Sequence, residues 1–378
     1  MSPEELEQMR GAAHAKIEAV AELASRISVI PSWNGGEQQR AEFVAEQLRG
    51  RGYQPEIDEV SNVYTRRGTR GGPVIMLLAH TDTVFPASTD MSVRREGDRI
   101  YGPSIGDNSV NVAAMINLID LLDELNIETA VDIIATANVG EEGLGNLRGA
   151  RAAVERYRDQ LAAVIVVDGR QGDVLNEGVG SKRWHLTVTG PGGHSFGAFG
   201  LPSAIHGLGR IIAAIADIEV PSEPKTTYNV GIINGGTSIN TIAPSASALI
   251  DMRSVGVAEL DHLAAQVKEI IETKAGEGLE THIEVVGERP AGGCDQNDPL
   301  VQKAVEVLRW LGYSPELRAG STDANIPFSL NIPAVCVGVA IGEGAHTIHE
   351  YIEVPSIGDG LAQVLRLTIE AAELAANA

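Results

Sequence analysis

Val74-Ile75-Met76-Leu77-Leu78-Ala79 is an unbroken aliphatic run that ends on His80-Thr81-Asp82. Six apolar residues are far too few to span a bilayer, but they suit a strand buried on both faces. Such strands belong to a parallel sheet packed between helices, whose functional loops lie just beyond the strand ends. Working outward, short β-rich runs at 55–60, 132–137, 163–167 and 334–339 alternate with helical stretches at 111–125, 146–157 and 299–311. Residues 4–30 and 37–48 carry apolar positions at helical spacing, and a terminal helix starts at Ser356. The expected fold class is α/β: a mixed, mostly parallel sheet with helices on both faces.

The texture changes near Gly180. Residues 183–190 alternate polar and apolar, as a half-buried strand does. A helix (202–218), strands (228–233 and 245–253), a helix (257–274) and a strand (281–286) follow. This β-α-β-β-α-β order suits a small α+β unit with its helices on one face. The expected organisation is therefore one α/β domain, 1–180 and 291–378, interrupted by an inserted domain at 181–290.

Composition narrows the class. The 378 residues are 43% hydrophobic and 21% charged, which excludes disordered and collagen-like chains. Lys plus Arg is 29 against 51 Asp plus Glu, a net charge of −22 that opposes nucleic acid and anionic membranes. The start, Met1-Ser2-Pro3-Glu4-Glu5, is acidic and has no apolar core of a secretory signal. Cys294 and Cys336 form no CxxC pair, so two reduced thiols are expected. Together these features point to a cytoplasmic protein.

Metal-capable residues recur where the expected sheet ends its strands: His80 and Asp82, Glu141 and Glu142, Asp168, and the run His346-Thr347-Ile348-His349-Glu350. Asp107 adds to them from a Gly- and Pro-rich loop that opens a helix. Any one alone is a common turn or helix-start residue, but five placements in one α/β frame are not. Imidazoles with carboxylates suit zinc, manganese or cobalt rather than a thiolate site. One carboxylate can bridge two such ions, which acidify a water and polarise a carbonyl. A further carboxylate can carry the proton to a leaving nitrogen. Asp82 is positioned to hold the His80 imidazole in one tautomer.

With these motifs in view, the chain resembles the dinuclear-zinc exopeptidases and deacylases that include glutamate carboxypeptidase G, aminoacylase, peptidase T and succinyl-diaminopimelate desuccinylase. The likeness runs from about residue 75 to the C-terminus. It is carried by Ala79-His80-Thr81-Asp82, Gly106-Asp107-Asn108, Gly140-Glu141-Glu142-Gly143, Val167-Asp168-Gly169, Gly192-Gly193-His194-Ser195, Asn240-Thr241-Ile242, Asp251-Met252-Arg253, Ser321-Thr322-Asp323 and Ala345-His346-Thr347. The resemblance implies a zinc-exopeptidase-like fold with two zinc ions, manganese or cobalt being alternatives. His80 and Asp168 would hold one ion, Glu142 and His346 the other, with Asp107 bridging. Glu141 would be the general base and later acid. The inserted domain would be a lid and dimerisation domain, making a homodimer or higher homo-oligomer. Its His194 and Asn240 would reach the scissile carbonyl, His194 often from a neighbouring subunit, and Arg253 would meet a substrate carboxylate. Asn111 stands where relatives commonly carry a glycine, so its amide is expected beside the metals and the substrate. His346 and His349 share a spacing to a following glutamate, and His346 fits the family pattern better.

The expected activity is hydrolysis of an amide C–N bond in a small peptide or N-acyl amino acid. Removal of an amino group from a small amine would use the same metals and base, and a non-catalytic binding protein on the same fold is the third reading. Gly193-His194-Ser195-Phe196-Gly197 matches the G-x-S-x-G pattern of serine hydrolases, but Pro191 and Gly192 separate the serine from its strand and the next helix starts late. No phosphate-loop pattern is present. His14, His185, His206, His262 and His282 lie away from the strand ends and read as surface or core residues.

Overall fold

The computed structural model describes residues 1–377 and divides into two compact units, Met1–Gly178 with the segment from Gly293 onward, and Val179–Gly292. The first is built on a nine-stranded sheet in which Glu56–Ile57, Val63–Arg67, Asp132–Asn138, Val74–His80, Leu161–Val167, Ala334–Val337 and Val174–Gly178 lie side by side. The four strands Asp132–Asn138, Val74–His80, Leu161–Val167 and Ala334–Val337 run parallel. Antiparallel neighbours flank them on either side.

The aliphatic runs are fully buried because alternate side chains serve two cores. Ile75, Leu77 and Ala79 pack with the helices Ile17–Ser28, Val110–Glu124 and Ile357–Ala376. Val74, Met76 and Leu78 pack on the other face with Ala150, Val154 and Phe328. Each buried Ile or Leu contributes about 1.5–3 kcal/mol, so this continuous strand anchors the unit. Because the strands are parallel, the residues following His80, Asn138, Val167 and Val337 emerge at one edge of the sheet.

The second unit is a four-stranded antiparallel sheet in the order Thr226–Gly235, Ser245–Ser254, Gly180–Thr189, Glu280–Arg289. Leu186, Val188, Ile250 and Met252 face the helices Ala204–Ala216 and Val257–Lys274. Ile232, Ile233 and Val285 are exposed.

Several local expectations shift. The helix expected over 4–30 is two helices, Pro3–Ala15 and Ile17–Ser28, that meet at Lys16. Only Glu56–Ile57 of the 55–60 run pairs as a strand, because the Asp58 carboxylate accepts the N–H groups of Val60 and Asn62 and turns the chain. The long strand of that hairpin is Val63–Arg67 instead. The helix expected from 146 begins at Arg148, since Asn146 and Leu147 are left-handed. Both cysteines are free thiols. Among the described residues no helix is long and apolar enough to cross a membrane.

Candidate metal centre

The sheet edge gathers the charged residues. His80 is the last residue of its strand, and Asp168 follows directly on Leu161–Val167. Glu141 and Glu142 lie on a turn after Asp132–Asn138, where Gly140 has φ +73° and a Cβ on Gly145 would sit 2.5 Å from the Gly140 carbonyl oxygen. Glycine is therefore required for this turn to close. Asp107 comes from the loop ahead of Val110–Glu124. His346 adopts φ +65°, uncommon for a residue with a side chain.

Ligand-type atoms converge in three overlapping groups, each within 4.8 Å: His80, Asp107 and Asp168; His80, Glu141 and Glu142; Asp107, Glu142 and His346. Asp107 is common to two of them. Its Oδ1 is 3.1 Å from His80 Nε2, and its Oδ2 is 3.1 Å from His346 Nε2. His346 Nε2 is also 3.0 Å from Glu142 Oε1, and His80 Nε2 is 3.7 Å from Asp168 Oδ1. His349 is exposed and belongs to none of these groups.

The electrostatics follow from this crowding. Burial works to raise the Asp107 carboxyl, but the imidazoles of His346 and His80 outweigh it and hold it well below its usual range. The His346 imidazole is lifted to about 10 by Asp107 and Glu142. Burial disfavours the charged form of His80, yet Asp107, Asp168 and Asp82 together raise it well above normal. Glu142 is pushed up by burial, with the Asp107 charge adding to the effect. Buried carboxylates therefore draw positive charge onto the two imidazoles. Cations would satisfy the same oxygens, and the N/O donor set fits zinc, manganese or cobalt.

The supporting contacts bear on two expectations. The His80 tautomer is set by the main chain of Asp82, because His80 Nδ1–H donates to the Asp82 carbonyl at 3.1 Å and Nε2 faces Asp107. The Asp82 carboxylate lies 3.7 Å from the same nitrogen and accepts the N–H groups of Glu141 (3.1 Å) and Glu142 (2.8 Å). Asn111 is fully buried: its Oδ1 accepts from Val339 N–H at 2.9 Å and its Nδ2 donates to Asn108 Oδ1 at 2.5 Å. Its amide is committed to backbone and loop partners and presents no open face to a substrate.

Sequence reasoning placed Glu350 in the metal-capable run after the last strand but gave it no role of its own; it is buried against the Asp107 loop. Its Oε1 accepts from Gly106 and Asp107 N–H (2.7 and 2.6 Å), and its Oε2 accepts from Ser104 N–H at 2.9 Å. Burial, with the Asp107 charge adding, lifts the Glu350 carboxyl to about 8. The signal was the glutamate four residues after His346. A cavity of about 140 Å³ adjoins the centre, with Asp107, Asp168, Arg170, Glu343 and Tyr351 among its lining residues.

In the second unit, His194 pairs with Thr241 across a two-residue ladder, and Ser195 N–H donates to the Asn240 carbonyl at 2.9 Å. His194 Nδ1 accepts the N–H groups of Phe196 and Gly197, which leaves Nε2 to carry the proton. Arg253 Nε donates to Asp251 Oδ2 at 2.7 Å. Ser195 follows a two-residue strand and the next helix starts at Ala204, so the strand–serine–helix turn of serine hydrolases is absent among the described residues.

A parallel α/β sheet that gathers imidazoles and carboxylates at one edge is the frame of a metallohydrolase. The chain belongs to peptidase family M20/M25/M40, which matches residues 76–370. It is 27% identical over 372 residues to a succinyl-diaminopimelate desuccinylase of Nitrosospira multiformis, covering 92% of this chain and 96% of that one. It is 26% identical to the uncharacterized protein YqjE of Bacillus subtilis, covering 82% and 84%. In fold it is similar to a tripeptidase of Staphylococcus aureus (TM-score 0.80, 22% identity, 94% and 99% covered). It is likewise similar to aminopeptidase PepT of Bacillus cereus (TM-score 0.78, 22% identity, 94% and 99% covered). The chain is a metal-dependent hydrolase of amide C–N bonds, and the deaminase and binding-protein readings are not favoured.

Proposed function

We propose that this enzyme releases the amine of a short peptide or an N-acyl amino acid with a pair of zinc ions. One observation carries the reading: the two oxygens of Asp107 face His80 on one side and His346 on the other. His80 with Asp168 would hold one ion, Glu142 with His346 the second, and Asp107 both. When bound, such ions supply Lewis acidity and a more acidic water. Glu141 does the proton work, accepting a proton from the attacking water and delivering it to the leaving nitrogen. Its place supports this role, since its carboxylate shares a group with His80 and Glu142. The Asp82 carboxylate fixes the turn on which Glu141 and Glu142 sit.

His194, with its proton on Nε2, is suited to donate to the developing oxyanion, Asn240 to hold the same carbonyl, and Arg253 to meet a substrate carboxylate. Phe196, Phe199 and Ile239 flank His194 and Asn240 and are almost wholly exposed, and Thr226–Gly235 is an edge strand with Ile232 and Ile233 exposed. Apolar surface of this kind supports a homodimer formed through the inserted unit. Two free thiols and an acidic chain support a cytoplasmic setting.

The desuccinylase relatives are named for removing an acyl group and the structural neighbours for cleaving peptides, so the test is a panel holding both. The zinc-loaded protein is incubated with N-succinyl and N-acetyl amino acids and with di- and tripeptides, and the free amine released is measured. Release from at least one class is expected. No release from any member would contradict the reading.

A further inference from the structure

Arg40 lies in the helix Gln38–Gly50, ahead of the stretch that matches the family, and in sequence it reads as one more polar residue on a surface helix. It is instead fully buried. Nε donates to the Ile30 carbonyl at 3.0 Å, one terminal nitrogen to Thr81 at 2.9 Å, and the other to Ser28 at 3.2 Å and Ile30 at 2.5 Å. Ser104 Oγ lies 3.4–3.5 Å from both terminal nitrogens. These partners are neutral. Burial pulls the guanidinium down to about 9, opposed by the charge of Asp82. A cation is costly to bury among neutral oxygens, and a generic helix position has no need of one.

The partners explain its presence. Thr81 stands between His80 and Asp82, and its N–H and hydroxyl both donate to the Asn138 carbonyl (2.8 and 3.0 Å), at the end of the strand that leads to Glu141 and Glu142. Ser104 opens the loop of Asp107, and its N–H donates to the Glu350 carboxylate that also holds Gly106 and Asp107. One guanidinium thus reaches the His80 and Asp107 segments directly, and the Glu142 and His346 segments through one further hydrogen-bonded residue. The adjoining chain reinforces the tie: Thr83 N–H donates to Ser32 at 2.7 Å, and buried Glu37 pairs with Arg148, whose guanidinium lies against Gly140.

We propose that Arg40 is a positioning residue for the metal centre, setting the separation of the His80 and Asp107 loops. This rests on the reading of His80 and Asp107 as ligands. The geometry calls for arginine in particular, because a planar fork of five donors can meet four oxygens on three segments, whereas an ammonium presents three donors from one point.

The test compares wild type, Arg40→Lys and Arg66→Lys. Arg66 pairs with Asp132 at the far end of the strand that leads to Glu141, so its replacement controls for lost stability. Zinc affinity is measured by competition with a chelator, the coordination by the visible spectrum of the cobalt-loaded protein, and stability by the Tm of the metal-free form. Arg40→Lys is expected to weaken zinc binding about tenfold or more and to alter the cobalt spectrum. It should also lower kcat with little change in KM, while Arg66→Lys keeps wild-type affinity and spectrum even where its Tm falls equally. Wild-type affinity and spectrum in Arg40→Lys, whatever its Tm, would overturn the inference alone. Failure of wild type to bind zinc would overturn the ligand reading and this inference with it. Should Arg40→Lys not fold, Ser104→Ala removes only the shared hydroxyl. A smaller affinity loss is then expected, and unchanged affinity would count against the proposal.

Discussion

The carboxylate of Asp82 is clasped by the backbone of Glu142, with the N–H to Oδ2 contact at 2.8 Å, while its nearest approach to His80 Nδ1 is 3.7 Å. Glu141 N–H donates to the other oxygen. Burial would raise this carboxyl, but His80 and the two N–H groups hold it below its ordinary value, so it remains an acceptor at neutral pH. In Asp82→Asn, one of the two oxygens becomes an amide that turns its donors toward a backbone N–H. The turn should loosen, with kcat falling about 10–100-fold and metal content falling with it. Steady-state kinetics and metal analysis check this; wild-type values for both would reject the role.

Glu141 is the one member of the three groups to which the proposed reading gives proton transfer alone. Glu141→Ala should keep its metal and lose about 10²–10⁴-fold in turnover, the usual contribution of a positioned acid or base. Metal analysis beside kcat separates this outcome from loss of a ligand, in which both quantities would drop.

His346 and His349 differ in place although they look alike in sequence. His346 Nε2 lies 3.1 Å from Asp107 and 3.0 Å from Glu142, whereas His349 belongs to none of the three ligand groups. His346→Ala should bind fewer ions per chain, and His349→Ala should bind as many as wild type. Stoichiometry by elemental analysis decides between them.

Metal uptake should be linked to protons. Asp107 and Glu142 raise the His346 imidazole to about 10, so the metal-free protein carries it charged at pH 7, and a cation must displace that proton. Zinc added at pH 7 should release protons, and its affinity should climb toward pH 10. Calorimetry in buffers of different ionisation enthalpy measures the release. The folded value lies above the ordinary imidazole value of 6.5, so the stability His346 gives the metal-free protein is complete below about 6.5 and is lost as pH rises through 10. The Tm of the metal-free form should accordingly decline across that window.

The parallel core was legible because a strand buried on both faces must be a continuous aliphatic run, as 74–79 and 163–167 are. The strand Val63–Arg67, between Glu56–Ile57 and Asp132–Asn138, was not, because Arg66 and Arg67 pair with Asp132 and Asp123 and mask the pattern. The break at Lys16 leaves no mark in the sequence, since apolar spacing continues through it. At the site, residue types after strand ends marked His80, Glu141, Glu142 and Asp168. What sequence could not convey was direction: which oxygen of Asp82 meets which N–H, that Asn111 turns inward, or that Arg40 and Glu350 are buried beneath the loops. These depend on side-chain contacts between segments far apart in the chain, and residue spacing carries no record of them.

The most direct measurement is catalysis against metal content. The protein is stripped with a chelator, dialysed, and titrated with zinc while ions per chain and amide hydrolysis are followed together. The expected result is loss of activity in the stripped form and its return as the second ion per chain is bound. Full turnover in protein holding far less than one ion per chain would contradict the account.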